Sequence, residues 1–322
     1  MPVSPLEALQ ANLLSPMVLA FALGIVATLV RSDLKLPEAL YDALAIYLLL
    51  AIGLKGGVSL AEHGFGPVLL PALAALALGV GTPLWCFHIL TRLGGLAPVD
   101  AGAIAAHYGS VSAVTFITSL AFLEKLGVPC EGFLPALVAI LEVPGIVVAL
   151  YLARAGAGDA WGGVLRELVT GKSVVLLVGG LAIGWLSGKS GVAQVAPLFE
   201  GLFKGALTFF LLEMGLLTAR RFRDLRRTGP FLVGFGIVMP VLHGLLGVLL
   251  GTWAGLSQGG ATVFGVLAAS ASYIAAPAAV RIALPQANPS LYLTASLVIT
   301  FPFNLLVGIP LLHAFARLLQ PR

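Results

Sequence analysis

Charge is scarce in this chain. Of its 322 residues, 10% are Asp, Glu, Lys or Arg, whereas 59% are hydrophobic. A soluble domain carries roughly 25% charged residues, so this chain cannot cover its surface in water and must face lipid. Cysteine is nearly absent as well. Cys86 lies in an apolar run and Cys130 in a loop, and two thiols without a motif argue against a disulfide framework or a metal site. No stretch matches a phosphate loop, a Gly-x-Ser-x-Gly elbow or zinc-like His/Cys spacing, which speaks against an enzyme. Met1 to Leu14 contain no Lys or Arg, so the first apolar run is expected to be a retained span rather than a cleaved leader.

What is present fits a bilayer. Mean hydropathy is +1.04. The 39 Gly and 20 Pro fall inside apolar runs, and both residues are more frequent in membrane helices than in soluble ones. The net charge is +4 and the pI about 9.2. The basic residues sit in short loops between apolar runs, where they orient a membrane protein rather than mark a nucleic-acid partner.

A span needs about 20 apolar residues. The runs Ser15–Val30, Ala39–Leu54, Pro67–Leu90, Pro98–Leu120 and Gly132–Leu152 are expected to form the first five. After a short polar linker come Ser173–Leu186, Pro197–Leu217, Gly229–Trp253, Ala261–Val280 and Leu291–Phe315. The fold expected is an all-α integral membrane protein of about ten transmembrane helices. Loops after the odd-numbered spans hold 12 of the 18 basic residues, among them Arg92, Arg154, Arg166, Lys172, Arg281 and the run from Arg220 to Arg227. The positive-inside rule places those loops and the linker in the cytoplasm and both termini outside, in the cell's plasma membrane. The Arg220–Arg227 run reads as a topology anchor on lipid head groups, or as a dock for an acidic regulatory partner.

The chain repeats itself. Ile52-Gly53-Leu54 returns as Met214-Gly215-Leu216, the serine-bearing stretch at 110–112 as that at 270–272, Val128-Pro129 as Asn288-Pro289, and Val143-Pro144 as Phe301-Pro302. The offset stays near 160 positions throughout. The chain therefore divides into halves at 1–154 and 173–322, joined by a linker at 155–172. Five spans per half turn the second half upside down, and inverted repeats of this kind characterise secondary transporters.

In such folds substrate binds near the midplane, between broken helices at matching positions of the two halves. The fourth span contains Gly109, Ser110, Ser112 and Thr115; the ninth contains Ser270, Ser272 and Tyr273. Small residues let backbone approach a ligand, a break frees N–H groups at a half-helix N-terminus for an anion, and hydroxyls both donate and accept. These seven residues are the candidate substrate site, for a small anion. Small residues and serines also mediate close helix packing, and it is their recurrence in both halves that favours a site. A hard cation such as sodium prefers oxygen ligands. Ser110 and Ser272, with the intramembrane acids Glu142 and Glu213, are the candidates for a coupling ion, the acids alternatively being proton-linked or paired packing groups. His88, His107 and His243 are weaker candidates, expected to be satisfied by carbonyls. Asp100, Lys55 and Lys204 lie near span ends, where they can snorkel, and Asn304 is placed to satisfy backbone freed by Pro302.

Several pieces carry a family likeness: Pro37-Glu38-Ala39, Ile52-Gly53-Leu54-Lys55-Gly56-Gly57, Val99-Asp100-Ala101, Pro240 with His243-Gly244, Ala268-Ala269-Ser270, and Ala287-Asn288-Pro289-Ser290 with Tyr292. In these, and in their order, the chain resembles the sodium-dependent bicarbonate transporter family first known from cyanobacteria. The resemblance implies import of bicarbonate by sodium symport, no other cofactor, a core and a gate domain, a homotrimer, and substrate and sodium around the two serine stretches. It also implies a possible PII-like regulatory protein on the cytoplasmic face. Two departures stand out: Tyr273 occupies a place where the family pattern has an acid, with Glu213, where the pattern is apolar, as the candidate to compensate, and the linker between the halves is short where the cyanobacterial members carry a long segment. The competing readings are a sodium- or proton-coupled symporter for another small anion, such as a monocarboxylate, and a non-transporting sensor on the same fold.

Overall fold

The computed structural model describes residues 5–153 and 161–320. Arg154, the first part of the expected linker and Arg322 lie outside the described residues, as do the side chains of Arg226 and Arg227. The described residues form helices and no strand. In chain order they are α1 (Pro5–Leu13), α2 (Pro16–Leu29), α3 (Glu38–His63), α4 (Gly66–Arg92), α5 (Pro98–Gly109), α6 (Ala113–Lys125), α7 (Leu134–Glu142), α8 (Pro144–Ala153), α9 (Trp161–Thr170), α10 (Lys172–Ala193), α11 (Phe203–Arg220), α12 (Phe222–Trp253), α13 (Gln258–Ala269) and α14 (Ala275–Ala283), followed by a last long segment, Pro289–Leu319.

By length and apolarity, seven helices can cross a membrane, and the pair α1–α2, bent by 55°, makes an eighth. Two expected spans fall outside that set for visible reasons. The helix α11 carries Lys204, Glu213 and Arg220 within 18 residues. The ninth run is split into α13 and α14, each shorter than a bilayer is thick.

Two short helices lie outside the expected spans, and one placement needs correction. The polar linker contains a helix: α9 occupies part of it and buries Val164 and Leu168 beside α14. The N-terminal segment forms α1, which is tied to the last segment where Asn12 Nδ2 donates to the Leu305 carbonyl at 2.7 Å. The helix α3 continues to His63, so Lys55 lies exposed within a helix rather than near its end. Lys204, by contrast, does reach outward, to Glu124 Oε1 at 2.8 Å.

Glycine explains the tightest packing. The helix α2 lies along α11, and α3 along α10. A Cβ on Gly24 would stand 3.0 Å from the Gly215 Cα, one on Gly53 would stand 2.9 Å from the Gly180 Cα, and one on Gly57 2.9 Å from the Gly184 Cα. In a membrane, where helices gain little from hydrophobic exclusion, such backbone approach provides the dispersion contact that holds them together. The remaining helices form a second body. In it α4 packs on α5 and α8, and α12 packs on α13 and the last segment. Trp85 of α4 joins these two groups by donating Nε1–H to His243 Nε2 of α12 at 2.6 Å.

At the centre of that second body lie α5 and α13. Every residue from Ala101 to Gly109 is buried, and so is every residue from Gly259 to Ala269. Both are rich in Ala and Gly, and a helix apolar on all sides can be surrounded by others. Each is held at its N-terminus by a loop from the opposite half. Asp100 Oδ1 accepts from the Asn288 N–H at 2.8 Å, and Glu131 Oε1 accepts from the Ser257 N–H at 2.6 Å.

Candidate functional site at two crossed broken helices

The helix α5 stops at Gly109 because the next residues are extended: Ser110 has φ −108° and ψ 176°. The chain resumes helix at Ala113, with Ser112 as N-cap, its Oγ accepting from the Thr115 N–H at 3.1 Å. The same happens in the other half. The helix α13 stops at Ala269, Ser270 is extended at φ −81° and ψ 162°, and α14 begins at Ala275. There Ser272 Oγ accepts from the Ala276 N–H at 3.2 Å. Ser, with a short side-chain acceptor, is favoured at such starts.

The two breaks touch. The Ser112 N–H donates to Ser270 Oγ at 2.9 Å, and the Ser272 N–H donates to the His107 carbonyl at 2.8 Å. So the second serine of each break is tied to the other broken helix. Close approach by the first break needs glycine on both sides: a Cβ on Gly109 would meet the Gly145 Cα at 3.0 Å, and one on Gly145 would overlap the Gly109 carbonyl.

The hydroxyl protons divide the serines into two kinds. Ser110 Oγ donates to the Glu142 carbonyl at 3.0 Å, and Ser270 Oγ donates to the Leu267 carbonyl at 2.8 Å. Those protons are committed to the backbone. Ser112 Oγ accepts from both the N–H and the Oγ1–H of Thr115, the latter at 2.9 Å, and Ser272 Oγ accepts from Ala276. Their own protons remain available to a ligand. The Tyr273 hydroxyl is buried and faces the Ser112 side chain, though without full hydrogen-bond geometry. Its ring packs edge-on against Phe301, with centroids 5.3 Å apart. The hydroxyls of Ser112, Ser272 and Tyr273, gathered around two half-helix N-termini, form an environment for an anion.

The structure thus brings Gly109, Ser110, Ser112, Thr115, Ser270, Ser272 and Tyr273 to one place. Glu142 adjoins it, since its backbone carbonyl holds Ser110. Glu213 is on a different element, α11, where it is 5% exposed. The weaker histidine candidates behave unequally. The His88 imidazole is satisfied by the Leu84 carbonyl at 2.7 Å. His107 donates Nδ1–H to the Ala103 carbonyl at 2.7 Å and stacks on Tyr292, leaving Nε2 buried without a partner. His243 bonds Trp85 rather than a carbonyl.

Asn304 does not serve backbone freed by Pro302. Its Nδ2 donates to the Ala269 carbonyl at 2.7 Å, the last carbonyl of α13. It is a positioning residue for the second break, brought there by a fold contact 35 positions away in sequence. Asn304→Leu should therefore strand a buried carbonyl and destabilise the protein by about 1–3 kcal/mol. Thermal unfolding in detergent checks this, and an unchanged midpoint would remove Asn304 from that role.

A model of the Na+-dependent bicarbonate transporter superfamily matches residues 16–317. The chain belongs to that superfamily. The search of curated proteins returned no match. Membership makes the chain a multi-pass membrane transporter of a sodium-dependent bicarbonate family and not an enzyme. The match runs across both breaks and into the last segment.

Proposed function

We propose that this transporter imports bicarbonate by sodium symport, with the anion held where the two broken helices cross. The observation that carries this reading is the set of hydroxyls of Ser112, Ser272 and Tyr273, gathered at two half-helix N-termini inside a member of a sodium-dependent bicarbonate family. Gly109 and Gly145 let backbone reach the site; Thr115 orients Ser112; Ser110 and Ser270 brace the breaks. The Ser110 and Ser272 oxygens, with freed backbone carbonyls and the nearby Glu142, offer sodium oxygen ligands.

The architecture proposed is ten spans in two inverted halves, 1–154 and 173–322, with the linker cytoplasmic and both termini outside. Supporting it is the exchange of partners between halves. First-half α2 pairs with second-half α11 as second-half α10 pairs with first-half α3. The Asp100–Asn288 and Ser257–Glu131 bonds likewise correspond when halves are exchanged. A pseudo-two-fold axis in the membrane plane produces such pairs. In this reading the α2, α3, α10 and α11 layer is the gate, and the body around α5 and α13 is the core. The resemblance adds a homotrimer and a PII-like cytoplasmic regulator, the latter meeting the Arg220–Arg227 segment.

Reconstituted into liposomes, the protein should take up labelled bicarbonate when sodium is supplied outside, and not when potassium replaces it. No sodium-dependent uptake at any pH would sink the reading. Competition by acetate or formate as strong as by bicarbonate itself would point instead to a monocarboxylate carrier, and binding without flux to a sensor.

A further inference from the structure

Within α12, Gly236 stands four residues before Pro240. Proline has no N–H to give, so the Gly236 carbonyl loses its intrahelical donor. Thr300 of the last segment supplies one instead, its Oγ1–H donating to that carbonyl at 2.7 Å. The threonine proton is thereby spent. The Tyr108 hydroxyl, 2.6 Å from Thr300 Oγ1, is therefore the donor of that bond, with the Ala295 carbonyl a more distant acceptor at 3.3 Å. Tyr108 directly precedes Gly109, the last residue of α5, where the first break begins. Its ring packs edge-on against Phe235, with centroids 5.0 Å apart. Both Tyr108 and Thr300 are buried.

Four positions along the same segment, Asn304 donates to the Ala269 carbonyl, the last of α13, where the second break begins. The backbone here is π-helical over Thr294–Thr300, α-helical over Phe301–Phe303 and π-helical again over Asn304–Gly308. Such wide turns are rare inside membrane-length helices and occur frequently at functional sites. The stretch from Thr300 to Asn304 thus holds the end of α5 through Tyr108 and the end of α13 directly.

We propose that Tyr108 and Thr300 are positioning residues for the anion site: with Asn304 they make the last segment a common brace that sets how the two breaks face each other. This rests on the reading that places the anion at the crossing. The hydroxyls of Ser112 and Ser272 come from different broken helices, and a ligand shared between them gains affinity when their separation is fixed beforehand. Two bonds join the breaks directly, from the Ser112 N–H to Ser270 Oγ and from the Ser272 N–H to the His107 carbonyl. The brace adds a support from outside the crossing. Tyr108 and Thr300 act through the helices they hold, and removing their bond loosens the first break without removing any hydroxyl from the site.

The test uses the full chain in liposomes, with labelled bicarbonate uptake measured against bicarbonate concentration. Thr300→Val keeps the side-chain shape and removes the hydroxyl; Thr300→Ser keeps the hydroxyl. Half-saturating bicarbonate should rise about ten-fold in Thr300→Val, with the maximal rate near that of wild type, and should return to the wild-type value in Thr300→Ser. Tyr108→Phe should shift it in the same direction. Combined with Thr300→Val it should add little, because both changes remove the same bond. A merely structural role would lower the unfolding midpoint and leave half-saturating bicarbonate unmoved; that outcome, or effects that multiply in the double variant, overturns the proposal. If the wild type takes up no bicarbonate, the transport reading fails, and the brace is judged without substrate. Amide hydrogen exchange across residues 109–115, measured in detergent, should then be faster in Thr300→Val and normal in Thr300→Ser. Faster exchange would uphold the brace, and unchanged exchange would overturn it. If Thr300→Val does not fold, Tyr108→Phe decides by the same two measurements, and wild-type values in both overturn the proposal.

Discussion

Ser112→Asp should leave the transporter folded and abolish bicarbonate uptake. Ser112 has two duties in this structure. It caps α6 through the Thr115 N–H, and it keeps a hydroxyl proton free at the crossing. Asp caps a helix about as well as Ser does, so the first duty survives. The second is reversed: a carboxylate replaces a donor where an anion must sit, and like charges at contact distance repel strongly in a site poor in water. Ser272→Ala tests the donor role more gently. A hydrogen bond to a charged group contributes about 1.5–3 kcal/mol, so the apparent affinity for bicarbonate should fall roughly ten-fold or more. Uptake kinetics, with size-exclusion profiles to establish folding, provide the measurement. Normal bicarbonate affinity in both variants would remove these serines from the site.

The second large effect is expected at Gly145. A side chain there would occupy the space of the Gly109 carbonyl, which is backbone and cannot turn aside. Gly145→Val should push α8 away from α5, break the Ser110 bond to the Glu142 carbonyl and destabilise the protein by about 3 kcal/mol or more, at the upper end for overpacking. Loss of the folded peak on detergent chromatography is the expected result. Gly179→Ala is the control, since a Cβ at Gly179 meets nothing within 4 Å. A Gly145→Val protein as stable as wild type would mean that the crossing tolerates displacement of the first break.

Much of this was legible without coordinates. Low charge and long apolar runs reveal a membrane protein because lipid offers no partners for ionised side chains. The serine-bearing stretches at 110–112 and 270–272 stood out because they recur in both halves, and the helices do break there. Other features were hidden for a physical reason. The short amphipathic α9 has too few apolar residues to resemble a span, and what it buries is decided by α14. Gly145 looks like one small residue among 39 glycines until Gly109 is set against it. Asn304 is near Pro302 in sequence, and that proximity misdirects, because the carbonyl it serves belongs to Ala269.

The sequence by itself determined the medium, the family and the positions of both breaks, since composition, hydropathy and local motifs are written along the chain. Only the tertiary structure decided which serine protons are free, because that depends on the carbonyls and amides that long-range packing brings within about 3 Å. Ser110 and Ser112 are two positions apart and chemically alike, yet Glu142 takes the proton of one, while Thr115 leaves that of the other unspent.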